Sequence, residues 1–102
     1  MFKLEPNPTF SVPVSIHVPG QGKGTFSVEF RHLNQEARTA YGASLKEKTN
    51  LDALAEIMVG WREIDAPFSR DNLKRLLDDY ADAVPALFEA YFNEVRGASV
   101  KN

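Results

Sequence analysis

Residues 10–31 read FSVPVSIHVPGQGKGTFSVEFR, and the fold class follows from the period of that stretch. Phe10, Val12, Val14, Ile16 and Val18 alternate with Ser11, Pro13, Ser15 and His17, the period of two that a half-buried strand requires. Phe26, Val28 and Phe30 resume it, with Thr25, Ser27, Glu29 and Arg31 on the opposite face. Between the runs lies Pro19-Gly20-Gln21-Gly22-Lys23-Gly24, whose glycines supply the positive φ of a reversal. Residues 10–31 are therefore expected to form an antiparallel β-hairpin with a long, glycine-rich tip. Pro13 has no N–H to give a ladder, which places the first strand at a sheet edge. A hairpin alone is marginal in water, so its eight inner apolar side chains need cover from the rest of the chain.

Beyond Asn34 the period becomes helical. Asn34 is the expected cap of a first helix over 35–48, with Ala37, Ala40, Tyr41 and Leu45 as its apolar stripe. A second helix is expected from the Thr49-Asn50 cap through Leu51, Leu54, Met58 and Trp61, weakened near its end by Gly60. Ser69 caps a third, with Phe68 and Leu73 placed as a hydrophobic staple and Leu76, Leu77 and Tyr80 continuing its face. Asp82 caps a fourth, where Pro85 is harmless in the first turn. That helix carries Val84, Leu87, Phe88, Tyr91, Phe92 and Val95, the strongest stripe in the chain, and Gly97 ends it. The expectation is a single α+β domain over 1–102: a hairpin at 10–31, about four bundled helices over 34–97, and a tail at 98–102.

Composition narrows the function classes. The chain has 102 residues, net charge −2 and no cysteine, which leaves no disulfide framework, thiolate nucleophile or cysteine zinc site. The opening Met-Phe-Lys-Leu-Glu-Pro lacks the apolar run of a signal peptide, and no stretch approaches the roughly 18 apolar residues of a membrane span. A cytoplasmic protein without membrane partners is expected. Residues 1–33 sum to +1, residues 34–75 to zero and residues 76–102 to −3, so no basic stripe offers itself to nucleic acid.

Catalytic patterns fail one by one. Asp78, Asp79 and Asp82 are better placed to complement a helix N-terminus than to hold a metal, and a calcium loop starting at Asp78 has Tyr80 and Ala83 where it needs an oxygen ligand and a glycine. His17 and His32 lack a third ligand at zinc spacing. The Gly20, Gly22 and Gly24 run joins two strands and has no Gly-Lys-Ser/Thr ending into a helix, so it is no phosphate loop. No cofactor, metal or catalytic residue is expected. What remains is apolar surface. Leu54, Met58, Trp61, Phe88, Tyr91 and Phe92 either fill the core or form a face for a partner, and an apolar stripe this wide in so small a domain favours some surplus for a partner.

The order of these features resembles the tail assembly chaperones of long-tailed bacteriophages (siphophages) and related prophages. The resemblance rests on the Val18-Pro19-Gly20 turn entry, the Phe30-Arg31-His32 exit, the Gly60-Trp61-Arg62-Glu63-Ile64-Asp65 segment, Phe68-Ser69 with Asn72-Leu73, and the Tyr91 to Gly97 helix end. It spans nearly the whole chain and is most specific from Gly60 to Leu73. It implies a non-enzymatic morphogenesis factor in the host bacterial cytoplasm. Such a factor coats the long, helical, aggregation-prone tape measure protein, promotes tail tube assembly around it, and is absent from the mature virion. The resemblance also implies a longer product made by ribosomal frameshifting, whose extension recruits tail tube protein, and Val100-Lys101-Asn102 is compatible with an adenine-rich slip site. The Pro13 edge strand and the surplus apolar area suggest self-association along a long client. The competing expectation is a small cytoplasmic protein-binding adaptor or regulatory module of non-phage function.

Overall fold

A computed structural model describes residues 1–97; the tail expected at 98–102 lies outside the described residues. The elements run β1 (Thr9–Val18), β2 (Gly22–Arg31), α1 (Gln35–Ser44), a 3₁₀ turn (Leu45–Glu47), α2 (Asn50–Ile57), β3 (Met58–Arg62), α3 (Arg70–Asp79) and α4 (Ala83–Arg96). The architecture is α+β: among the described residues a β-hairpin at the start of the chain and a third strand between α2 and α3 form an antiparallel sheet, with four α-helices.

β1 and β2 pair from Thr9↔Arg31 to Val18↔Gly22, in the register the alternation requires. Val12, Val14, Ile16, Phe26, Val28 and Phe30 are buried on one face. The reversal is tighter than expected. Only Pro19, Gly20 and Gln21 lie outside the ladder, closed by the Gln21 amide donating to the Val18 carbonyl at 2.9 Å, while Gly22, Lys23 and Gly24 pair with Val18, His17 and Ile16. Gly20 (φ 80°) and Gly22 (φ 98°) take the left-handed region that so short a loop demands.

β1 is an edge strand, as Pro13 requires. The His17 amide points outward to the Asp82 carboxylate at 2.8 Å. Pro13, four residues earlier in a two-residue repeat, has its missing donor on that same outer side. Proline in mid-strand and a carboxylate on the last outward amide together blunt the edge against further pairing.

The largest departure from expectation is at Met58. Instead of continuing the second helix to Trp61, the chain leaves the helix at Ile57 and pairs with the free side of β2, giving the order β1-β2-β3. Ser27↔Arg62, Val28↔Trp61 and Glu29↔Gly60 are opposed, with an irregularity at Glu29/Phe30. Leu51, Leu54, Met58 and Trp61 keep a helical spacing, yet the unpaired amides and carbonyls of β2 offer hydrogen bonds that a helix end cannot. Gly60, poor in a helix, sits opposite Glu29. Just past the strand, Glu63 is a non-glycine residue in the left-handed region (φ 66°) whose carboxylate accepts the Ser27 amide at 3.0 Å.

The caps fall where the sequence places them. Asn34, Thr49 and Ser69 accept the amides of Ala37, Asp52 and Asn72 at 2.9, 3.1 and 3.1 Å, and Gly97 (φ 74°) closes α4. The first helix ends its α form at Ser44, with the 3₁₀ turn completing the expected span, and Ala40 is exposed rather than part of a buried stripe. Asp82 stands at the N-cap position of α4 but makes no cap bond to its own helix, because its carboxylate holds His17.

Candidate protein-binding surface

α4 carries two rows of apolar side chains, one residue apart. Ala83, Leu87 and Tyr91 repeat every four residues and are fully buried. Tyr91 is the hub, with ring centroids 5.2 Å from Phe30, 5.9 Å from Phe10 and 6.4 Å from Tyr41. This row fixes the helix on the sheet. The neighbouring row, Val84, Phe88 and Phe92, lies about 100° further round the helix and is only half-buried. Phe88 and Phe92 stack with centroids 6.4 Å apart and planes 11° from parallel. Glu89 and Arg96 are exposed further round the same helix, beyond the aromatic pair.

At the Val84 end the row opens into a groove of about 380 Å³ between the start of α2, α3 and α4. Leu51, Leu77 and Val84 supply its apolar lining, and Lys74 and Asp78 stand at its edge. Those two ions pair at 2.7 Å, and the Asp78 carboxylate holds the Lys74 ammonium above its usual range. α2 and α3 are also joined by an Asp52–Arg70 ion pair; the Arg70 guanidinium holds the Asp52 carboxyl below the usual carboxylate range.

Of the six residues singled out from the sequence, the structure leaves three partly buried at the margin of the core and places three inside it. Leu54 and Tyr91 are fully buried and Met58 is 2% exposed, so these three have no face to offer a partner. The reason differs in each case. Leu54 is on the inner side of α2, Met58 belongs to β3 rather than to a helix, and Tyr91 is the aromatic hub. Phe88 and Phe92 come together as expected of i, i+4 neighbours. Trp61 stands in a different patch, edge-on to Phe68 at 5.2 Å, with its indole N–H donating to the Ala66 carbonyl at 2.8 Å. It ties the 63–68 linker back onto β3. A shallow pocket of mixed character extends from it past Ile64, Leu76 and Tyr80.

Leu51, Leu77 and the tethering roles of Asp82 and Glu63 were not singled out for a site. The only prior signal was the helical stripe that Leu51 and Leu77 share with core residues. Among the described residues no group of three or more His, Cys, Asp or Glu is placed to hold a metal ion, and no helix is long and apolar enough to cross a membrane. His17 and His32 are both exposed, and what they contribute is backbone: the His17 amide to Asp82, and the His32 amide to the Pro8 carbonyl at 2.8 Å.

Comparison with curated proteins and with solved structures gives no match. Comparison with protein-family models does: the model described as phage tail assembly chaperone matches residues 1–102, the whole length of this sequence. This chain belongs to the phage tail assembly chaperone family.

Proposed function

We propose that this chaperone acts by holding amphipathic helical segments of the tape measure protein against the Val84–Phe88–Phe92 side of α4, keeping that client soluble until tail tube subunits enclose it. The family is one of assembly factors, which gives the chain a role in tail assembly and protein partners there. The observation that carries the reading is the stacked, half-buried Phe88–Phe92 pair on a helix already anchored by its other side. An apolar helix face seats on such a row as it does in helix-in-groove recognition, while the neighbouring Glu89 and Arg96 keep the complex in solution. In this reading the chain works as one domain, without a cofactor, metal or catalytic step, in the host cytoplasm, and is left out of the finished virion.

Two further parts of the reading concern other partners. Several copies line one long client, and a longer frameshifted product brings tail tube protein to it. Co-expression of the tape measure protein with and without the chaperone tests the central part. A soluble complex that co-purifies is the expected result, and a client equally insoluble in both conditions overturns it. Mass spectrometry of infected cells and of purified virions tests the rest: a second, longer product in cells and neither product in virions is expected.

A further inference from the structure

We propose that the hollow beside Trp61 is a docking site for one arginine side chain of a protein partner, on a surface separate from the Val84–Phe88–Phe92 row. Trp61 and Tyr80 line it with aromatic surface, Ile64 and Leu76 with aliphatic surface, and Asp65 and Asp79 with carboxylates. The four apolar residues are partly buried and the two acids exposed, which puts charge at the mouth and apolar surface beneath it. The hollow measures about 160 Å³, below the roughly 300–1,000 Å³ of a small-molecule site, and suits a single side chain.

That combination selects a cation carried on an apolar stem. The charged head is drawn to aromatic faces and to carboxylates, while the methylenes behind it cover aliphatic surface. Arginine fits better than lysine, because its planar fork can lie on a ring and still donate to two carboxylates on different elements, Asp65 on the 63–68 linker and Asp79 on α3. The aromatic wall is set before a partner arrives. The Trp61 indole N–H is held by the Ala66 carbonyl at 2.8 Å and the ring stands edge-on to Phe68, so little ordering is left to binding.

This chain's own Arg75 also lines the hollow, and the structure holds it aside. Arg75 precedes Asp79 by one turn of α3, yet among the described residues neither Asp79 nor Asp65 takes part in an ion pair. Arg75 donates instead to the Asn72 carboxamide oxygen at 3.3 Å, and Asn72 is fixed by its amide nitrogen donating to the Pro67 carbonyl at 2.8 Å. A base placed N-terminal to an acid at this spacing is also the weaker order on a helix. The adjacent Asp78, by contrast, is matched by Lys74. Two carboxylates without a cation, beside an aromatic hollow, are the complement of an arginine brought by a partner.

Titration of the ¹⁵N-labelled full chain with N-acetyl-arginine methylamide, blocked at both ends as a residue within a chain is, tests the proposal. Trp61 is the only tryptophan, so its indole N–H gives one cross-peak to follow. The expected result is a saturable shift of that peak with a midpoint of about 10 mM, the strength of one ring contact with two exposed charge contacts. The citrulline analogue keeps the shape without the charge and binds about tenfold more weakly. Asp65→Asn with Asp79→Asn weakens arginine binding about fivefold, and Arg75→Gln, which removes the internal competitor, tightens it about twofold. All three positions are exposed, and the dispersion of the remaining peaks reports that each variant is folded. An indole peak that does not move, equal binding of arginine and citrulline, or an unchanged midpoint in the double variant overturns the proposal. None of these readouts involves the tape measure protein, so they stand or fall apart from client binding on α4.

Discussion

The two sides of α4 differ by one residue in sequence and by their whole purpose in the fold. Leu87 and Tyr91 meet the sheet and are fully buried, while Phe88 and Phe92, equally apolar, are only partly buried at the margin of the core. Burying a large apolar side chain completely is worth about 1.5–3 kcal/mol, so the second row forgoes part of what its residues could contribute to stability. A helix fixed by one side can present the other as a rigid apolar surface, which lowers the ordering cost of a partner that binds there.

The sharpest contrast is expected between substitutions on the two sides. Leu87→Ala or Tyr91→Ala should cost about 3–5 kcal/mol, read as a fall in the urea midpoint, because each opens a cavity in a packed cluster. For a domain of this size that approaches total stability. Asp82→Ala removes the tie between α4 and the β1 edge and should cost about 1–2 kcal/mol in the same assay, since a backbone amide loses a charged acceptor. If it costs nothing, the anchored side is held by the aromatic hub alone. Phe88→Ser and Phe92→Ser should each cost about 1 kcal/mol, the smaller loss of a half-buried side chain, while abolishing client solubilisation.

A smaller effect tests the buried side through pH. The Tyr41 phenol donates to the Ala53 carbonyl at 2.7 Å, and burial pushes its pKa well above the ordinary value of 10.0, with Glu56 adding to the rise. Burial raises Tyr91 as well. A group whose folded pKa exceeds its unfolded one contributes stability that is complete below the unfolded value and lost as pH rises above it. The urea midpoint should therefore hold to about pH 10 and fall beyond it, and Tyr41→Phe should flatten part of that fall while costing about 1 kcal/mol at neutral pH. A midpoint unchanged between pH 9 and 12 would show that these phenols titrate as freely in the fold as out of it.

The same contrast between local and distant determinants decides how much was legible beforehand. The hairpin and the caps Asn34, Thr49, Ser69 and Gly97 depend on neighbours within a few residues, and each is where its residue type puts it. β3 depends on the free edge of β2, 28 to 35 residues away, and Met58 and Trp61 satisfy a helical spacing as well as a strand. A stripe identifies the apolar side of a helix but not how much of that side other elements cover. That is why Leu54, Met58 and Tyr91 joined Phe88 and Phe92 in the expected surface and then proved to be core. The groove was illegible for a related reason: Leu51, Leu77 and Val84 come from three helices and meet only in the folded chain.

The proposed function depends most on the Val84–Phe88–Phe92 side of α4 being the side that holds the client. The direct measurement is the soluble fraction of the tape measure protein when co-expressed with the Phe88→Ser/Phe92→Ser double variant, with circular dichroism establishing that the variant is folded. The predicted result is a client as insoluble as without chaperone; a client as soluble as with the wild-type chain would contradict the account.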